Sequence, residues 1–449
     1  MSHPFRSTIV ACFGAALLLA TGGSGLCDDG AELRRELEQL RQENKALRSQ
    51  AHQQESLIED LSRRVAHIEK TTSDKTAGAD GMVAERQSSS GESSRGGVNL
   101  GRINISGEGG VALFHSQSEG VFPNTEFRVD EAKIFVEAPI WGDVYFFTEL
   151  NLATRESEGL SVDFGEVYLD FENVSQLWGH DRQLNVRVGR MDVPFGEEYQ
   201  YRDAIDNPLI SHSLSDLWGV DEGVEIYGSF GPASYVVAVQ NGGVSESRDF
   251  NSDKSVAGRL SFDPNPTLHL SVSAMRTGDL DVNDDFVSEV WFGGGWFRSI
   301  GSPDTTTFRA NLVQGDVALK FARGHLRAFG GIAQYHDNDP GANNRRDLYY
   351  YAIEGVCEVT KKFYAASRFS QIFVNKGYPL PGQGDIGQYF FNPFGPRAGE
   401  LWRCSLGVGY RFSPRLIVKT EYSLEGGKEA GGGQREHVDL FAVEAAFGF

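Results

Sequence analysis

The chain has 449 residues, a formal charge of −20, and Gly 53, Phe 30 and Tyr 15 among its residues. No apolar run approaches the roughly 20 residues of a membrane-spanning helix, and so acidic a balance excludes a broad basic surface for nucleic acid. Four cysteines are too few for a disulfide framework: Cys12 and Cys27 lie near the start, and Cys357 and Cys404 stand alone.

Residues 1–25 read as a secretory leader. Arg6 gives the positive start, Ile9–Ala20 a short apolar core, and Thr21–Gly25 the small residues before a cleavage expected after Gly25. Ser24-Gly25-Leu26 before Cys27 is a poor lipidation signal. Over 31–70 an unbroken heptad follows. Leu33, Leu40, Leu47, Gln54, Leu61 and Ile68 fall at d, and Leu37, Asn44, Ala51, Ile58 and Val65 at a. A 3.5 period held this long predicts a coiled coil. Arg64 and Glu69 flank an a/d pair in a way that resembles the trimerisation motif of parallel coiled coils, while Asn44 pulls weakly towards a dimer. Residues 71–97, with Ser88-Ser89-Ser90 and no aromatic, are too polar to fold and predict a flexible linker.

From Val98 to Phe449 short alternating segments follow one another, and their connections alternate short and long. The short ones include Gly231–Ala233, Arg323–His325, Thr360–Lys362 and Ser413–Pro414. The long ones include Asp192–Gly219, Asn241–Lys254, Gly278–Thr306 and Asn375–Gly399. Turns sorted by length onto two sides predict an all-β transmembrane barrel of about sixteen antiparallel strands, preceded by the α-helical coiled coil in the periplasm. An even strand count returns the chain to the side on which it began.

In the last stretch, His437–Phe449, every second residue from Phe441 to Phe449 is apolar, including Phe447. Such a strand shows one continuous apolar face, which lipid covers. Its aromatic end resembles the closing strand of bacterial outer-membrane barrels, the signal read by the barrel-assembly machinery.

Between Glu126 and Tyr201 a more specific likeness enters. The stretches EFRVDEAKIFVEAPIWGDVYFFTELNL, VDFGEVYLDF and NVRVGRMDVPFGEEYQYR resemble the phosphate-selective porin O/P family. The motif is Val188-Gly189-Arg190-Met191-Asp192-Val193-Pro194-Phe195-Gly196, with Glu198 close behind. The resemblance implies a trimeric sixteen-stranded channel whose third loop, here Asp192–Gly219, folds inward to narrow the pore. That loop offers only Arg202 and His212 against Glu197, Glu198, Asp203, Asp206 and Asp216.

Within each strand the apolar parity faces lipid, so the other parity faces the lumen. On that basis the pore-lining basic residues are Lys133, Arg187, Arg259, Arg368, Arg403, Arg411 and Lys419. The pore-lining acidic residues are Glu131, Glu137, Glu149, Glu166, Asp170, Glu225, Glu354 and Glu421. Early strands supply mostly acids and late strands mostly bases, which predicts two opposed walls and a transverse field with weak charge selection. Converging donors for a dehydrated phosphate are not evident.

Other chemistry leaves no motif. HExxH, CxxC, GxSxG and a Gly-rich phosphate loop are missing, and Asp279-x-Asp281-x-Asn283 lacks the Gly and the final Glu of an EF-hand. No enzyme, cofactor or metal is expected. Two functions fit: a passive outer-membrane channel for small hydrophilic or anionic solutes, or a structural and adhesive anchor whose coiled coil tethers the envelope. The expected partners are outer-membrane lipid, the assembly machinery, the solutes and two further copies of the chain.

Overall fold

A computed structural model describes residues 98–449 apart from 101–102, 121, 154–161, 218, 243–251, 283–300, 342 and 379–397. The described residues belong to one compact unit, Ser88–Phe449. The leader, coiled coil and linker expected from the sequence lie outside the described residues.

Among the described residues stand sixteen long strands, beside three short ones of two or three residues and two 3-10 turns. The sixteen begin with β1 (Ile103–Ser116), β2 (Glu126–Trp141), β3 (Val144–Ala153), β4 (Asp163–Phe171) and β5 (Asn185–Asp192). Next come β6 (Val220–Phe230), β7 (Ala233–Gln240), β8 (Ser255–Asn265), β9 (Leu268–Arg276) and β10 (Thr307–Phe321). The set ends with β11 (Gly324–Asp337), β12 (Arg346–Glu358), β13 (Phe363–Tyr378), β14 (Ala398–Ser413), β15 (Leu416–Glu429) and β16 (Leu440–Gly448). Each pairs antiparallel with its sequence neighbour, and β16 pairs with β1 from Leu440↔Ser116 to Gly448↔Glu108. The sheet is therefore closed and has no free edge, so strand N–H and C=O groups are satisfied without water.

The short connections end the strands on the side where β1 starts and β16 finishes. Gly142 and Gly231 hold positive φ there (54° and 60°), a conformation that costs glycine little. Trp141, Trp178, Phe230, Phe321, Phe412 and Phe449 are exposed at these ends, as an aromatic girdle at a membrane interface would be. Alternation places Val111, Val188, Val224, Val313, Leu406 and Phe441 on the exposed outer face. Cys357 and Cys404, also at outward positions, are free thiols.

Two irregularities adjust the parity. A bulge between Gly110 and Val111 admits Asp130 as an extra, fully buried residue of β2. Another, opposite Glu149, turns Glu166 and Asp170 inward while Phe164 stays exposed. Such bulges re-aim side chains beside functional surfaces.

Candidate functional site

The segment between β5 and β6 lies inside the barrel, because its contacts reach inward positions on β1, β2, β8, β9, β11 and β13–β16. Asp203 meets Lys133 of β2 at 2.7 Å, and the Ala204 N–H donates to Glu131 at 2.8 Å. Gly196 N–H donates to Ser273 of β9 at 3.0 Å, and Arg259 of β8 donates to the Tyr199 hydroxyl at 3.1 Å. Arg327 of β11 lies over the Tyr201 ring at 3.9 Å. Ile210 packs with Ala112 and Phe114 of β1 and Leu440 and Ala442 of β16.

The densest attachment is to β13–β15. Glu421 accepts from the Ile210 and Ser211 N–H groups at 2.5 and 2.8 Å. Arg368 donates to Ser211 O and Asn207 Oδ1, and Arg403 to His212 O. Lys419 Nζ lies 2.7, 3.2 and 2.9 Å from the Ala204, Asn207 and Leu209 carbonyls. Tyr364 caps Pro208 O at 2.9 Å. A loop carries few partners of its own for its backbone polar groups; charged wall side chains supply them here.

This corrects the expectation of two opposed charged walls. The late cations each have a carboxylate beside them: Glu354 for Arg368, Glu425 for Arg403 at 2.9 Å, and Glu444 for Lys419 at 2.6 Å. They are also buried. Arg411 differs. It is half-buried over the Tyr364 ring at 4.7 Å and makes no ion pair among the described residues.

On the early side, Lys133 lies 2.8 Å from Glu131 and 3.9 Å from Glu149. Arg187 bridges Asp170 at 2.8 Å and Glu225 at 3.1 Å. Glu166 accepts from the Asp192 N–H, whereas Glu137 is exposed near the short turns. Phe135, Phe147 and Tyr168 stack in a row with centroids 6.2 and 5.1 Å apart, and Arg187 is sandwiched between Tyr168 and Tyr227. Their faces are turned to one another, so the row stiffens the wall.

The long-loop half of β10–β13 has an apolar interior, against expectation. Leu312, Ala333, Tyr335, Leu348 and Ile372 form one buried cluster with Phe195 and Leu214 of the loop. Strict polar-in alternation fails where a segment inside the barrel brings apolar side chains of its own.

Inside the loop, burial would raise the Asp216 carboxyl, but Arg202 at 3.1 Å and His212 at 2.9 Å outweigh it and hold it well below the usual range. Glu198 goes the other way. Burial, and then the charge of Asp216, push it up to about 7 despite its bonds from Ser213. Asp206 N–H and Asn207 N–H donate to Asp203 O, closing a turn between them. Phe441, Phe447 and Phe449 are exposed on the outer face.

Sequence reasoning passed over Glu444, although it stands on the inward parity of the last strand, and Glu425, which lies at the margin of a long loop. Tyr199, Tyr201 and Arg327 gave no signal, since their meeting depends on how the loop docks.

No protein-family model matches the chain, and no curated protein matches it in sequence. Among solved structures it is similar to OmpT, an outer membrane protein of Vibrio cholerae, at 11% identity over 79% of this chain and 99% of that one, with a TM-score of 0.50. It is likewise similar to the outer membrane channel DcaP of Acinetobacter baumannii, at 11% identity over 77% and 97%, also with a TM-score of 0.50. The likeness is one of fold: a closed sixteen-stranded barrel of the outer-membrane type.

Proposed function

We propose that the protein is a passive diffusion channel of the outer membrane for small hydrophilic solutes, narrowed by the loop Asp192–Gly219. The observation that carries this is the loop's attachment inside a closed barrel. It is fixed to β2 and β13–β15, while the inner wall of β3–β6 keeps a polar face with Glu149, Glu166, Asp170, Arg187 and Glu225. A water-filled path between loop and early wall passes charges of both signs, so selection by sign is weak.

The resemblance in Glu126–Tyr201 extends the proposal to anions, including phosphate. A phosphate site needs several converging donors. Among the described residues Arg368, Arg403 and Lys419 are engaged with carboxylates and loop carbonyls, which supports a general pore over a specific one. The heptads over 31–70 support a homotrimer with its coiled coil in the periplasm, and the aromatic closing strand supports delivery by the assembly machinery.

The apolar cluster inside β10–β13 favours a second reading, an outer-membrane anchor with a filled lumen. Planar-bilayer recording separates the two. Stepwise conductance with a reversal potential near zero across a KCl gradient supports the general channel, strong anion selectivity with saturation by phosphate supports the specific one, and absent conductance leaves the anchor.

A further inference from the structure

On the outer wall of β11–β15 lies a groove of about 920 Å³. Its floor is made of Gly355, Ala365 and Ser367, and Leu326, Leu406 and Tyr422 stand along its sides at outward positions, 39%, 53% and 43% exposed. A Cβ at Gly355 would meet only Leu326 Cδ1 at 3.8 Å and Ser367 Oγ at 3.9 Å, so the floor is open. Arg323, in the turn between β10 and β11, lines the same groove at its short-turn end.

The rim around that end is basic. Three consecutive short turns of this face, with the strand end that leads into the first, bring Lys320, Arg323, Lys361, Lys362 and Arg415, all exposed, beside a single acid, Glu358. None of the five cations makes an ion pair among the described residues. The turns are joined: Glu358 N–H donates to Arg323 O at 2.8 Å, and Arg411 N–H to Lys362 O at 2.7 Å. The short turns on the opposite side carry four acids, Asp143, Glu172, Asp181 and Asp263, and a single arginine, Arg182. In a chain of charge −20, this sorting puts the positive charge where the apolar groove opens.

We infer that this face is a binding site for an anionic phospholipid of the leaflet that meets the short turns. An acyl chain lies in the groove over Gly355, Ala365 and Ser367, and the phosphate lies at Arg323, Lys361 and Lys362. The groove supplies apolar area for the chain. The rim supplies attraction to anionic headgroups at the level where they stand, an effect that falls off within a Debye length. The inference is independent of whether the lumen conducts.

The test is native mass spectrometry of the full chain, delipidated in detergent and titrated with phosphatidylglycerol or with phosphatidylcholine of matched chains. Wild type is expected to retain phosphatidylglycerol preferentially, with the preference falling as salt rises. Arg323→Gln/Lys361→Gln/Lys362→Gln changes only exposed turn residues and should weaken retention by about fivefold for each cation neutralised. Ala365→Leu/Ser367→Leu fills the groove and should lower retention of both lipids while the rim stays intact. Heat-modifiable gel mobility confirms that each variant is folded. Equal retention of the two lipids by wild type, or retention unchanged in both variants, overturns the proposal. So does a groove-filling variant that loses self-association but keeps its lipid, since the occupant would then be a second copy of the chain.

Discussion

Lys419 and Glu444 face each other in register across β15 and β16, 2.6 Å apart and sealed from solvent. The same ammonium reaches three loop carbonyls, so one buried ion pair holds both the seam of the wall and the loop. Removing one partner of a buried pair costs about 3–5 kcal/mol, because the other is left charged and dry. Lys419→Met should therefore lower the unfolding midpoint in denaturant and raise single-channel conductance as the loop loosens. Lys419→Met/Glu444→Leu should recover much of the stability but none of the loop anchorage. Unfolding followed by intrinsic fluorescence, beside bilayer recording, checks both halves.

Arg411 stands apart from Arg368 and Arg403 because it has an aromatic partner but no carboxylate. Arg411→Ser should shift the reversal potential towards cation preference while leaving conductance within about twofold, the shift being largest in dilute salt. Arg368→Met should instead change conductance and its noise, since the guanidinium holds Ser211 and Asn207. The same shift from both variants would show that the two arginines play one electrostatic role.

Phe449 closes the barrel against Gly107. Their backbones exchange hydrogen bonds of 3.2 and 2.8 Å, and a Cβ on Gly107 would fall 2.5 Å from the Phe449 ring. Gly107→Val should displace that ring and reduce the heat-resistant, membrane-assembled fraction severalfold, much as deletion of Phe449 should, while secretion continues. Fractionation followed by gel mobility with and without boiling measures it. Gly107→Ala should fall between wild type and Gly107→Val.

The Glu198 carboxyl titrates near 7 in the folded loop, against about 4.5 in an open chain. A carboxyl raised on folding contributes stability that is fully present below the unfolded value and lost as pH rises through the folded one. Docking of the loop should then be firmest at and below about pH 4.5, weaken as pH rises through about 7, and level off above it. Conductance or its flicker should rise from pH 5 to pH 8, and Glu198→Gln should flatten that rise. An unchanged slope in Glu198→Gln would place the titrating group elsewhere.

The barrel was legible because one rule, alternation, repeats in every strand and needs no knowledge of partners. Phe441 to Phe449 and the division of short turns from long ones settle strand number and direction. The interior was legible only as far as parity goes. Parity places Arg368 and Lys419 inward but is silent on Glu354 and Glu444 beside them, since cross-strand partners depend on register. It fails outright at Leu348 and Ile372, where the inward face is apolar because Phe195 and Leu214 arrive from more than a hundred residues away. The loop's own balance, with Asp216 held low and Glu198 held high, arises from docking and has no trace in residue order.

The pairing of β16 with β1 also sets an order of events. Every other strand finds its partner next to it in the chain, so fifteen of the sixteen seams are hairpins that form locally. The last joins Gly448 to Glu108 across nearly the whole barrel sequence, and such distant contacts form slowly because loop closure precedes any gain. Until then the nascent sheet has two raw edges, each able to recruit another chain. A circular permutant opened at Gly231, between β6 and β7, would keep every contact of the finished wall and move that waiting period to a different seam.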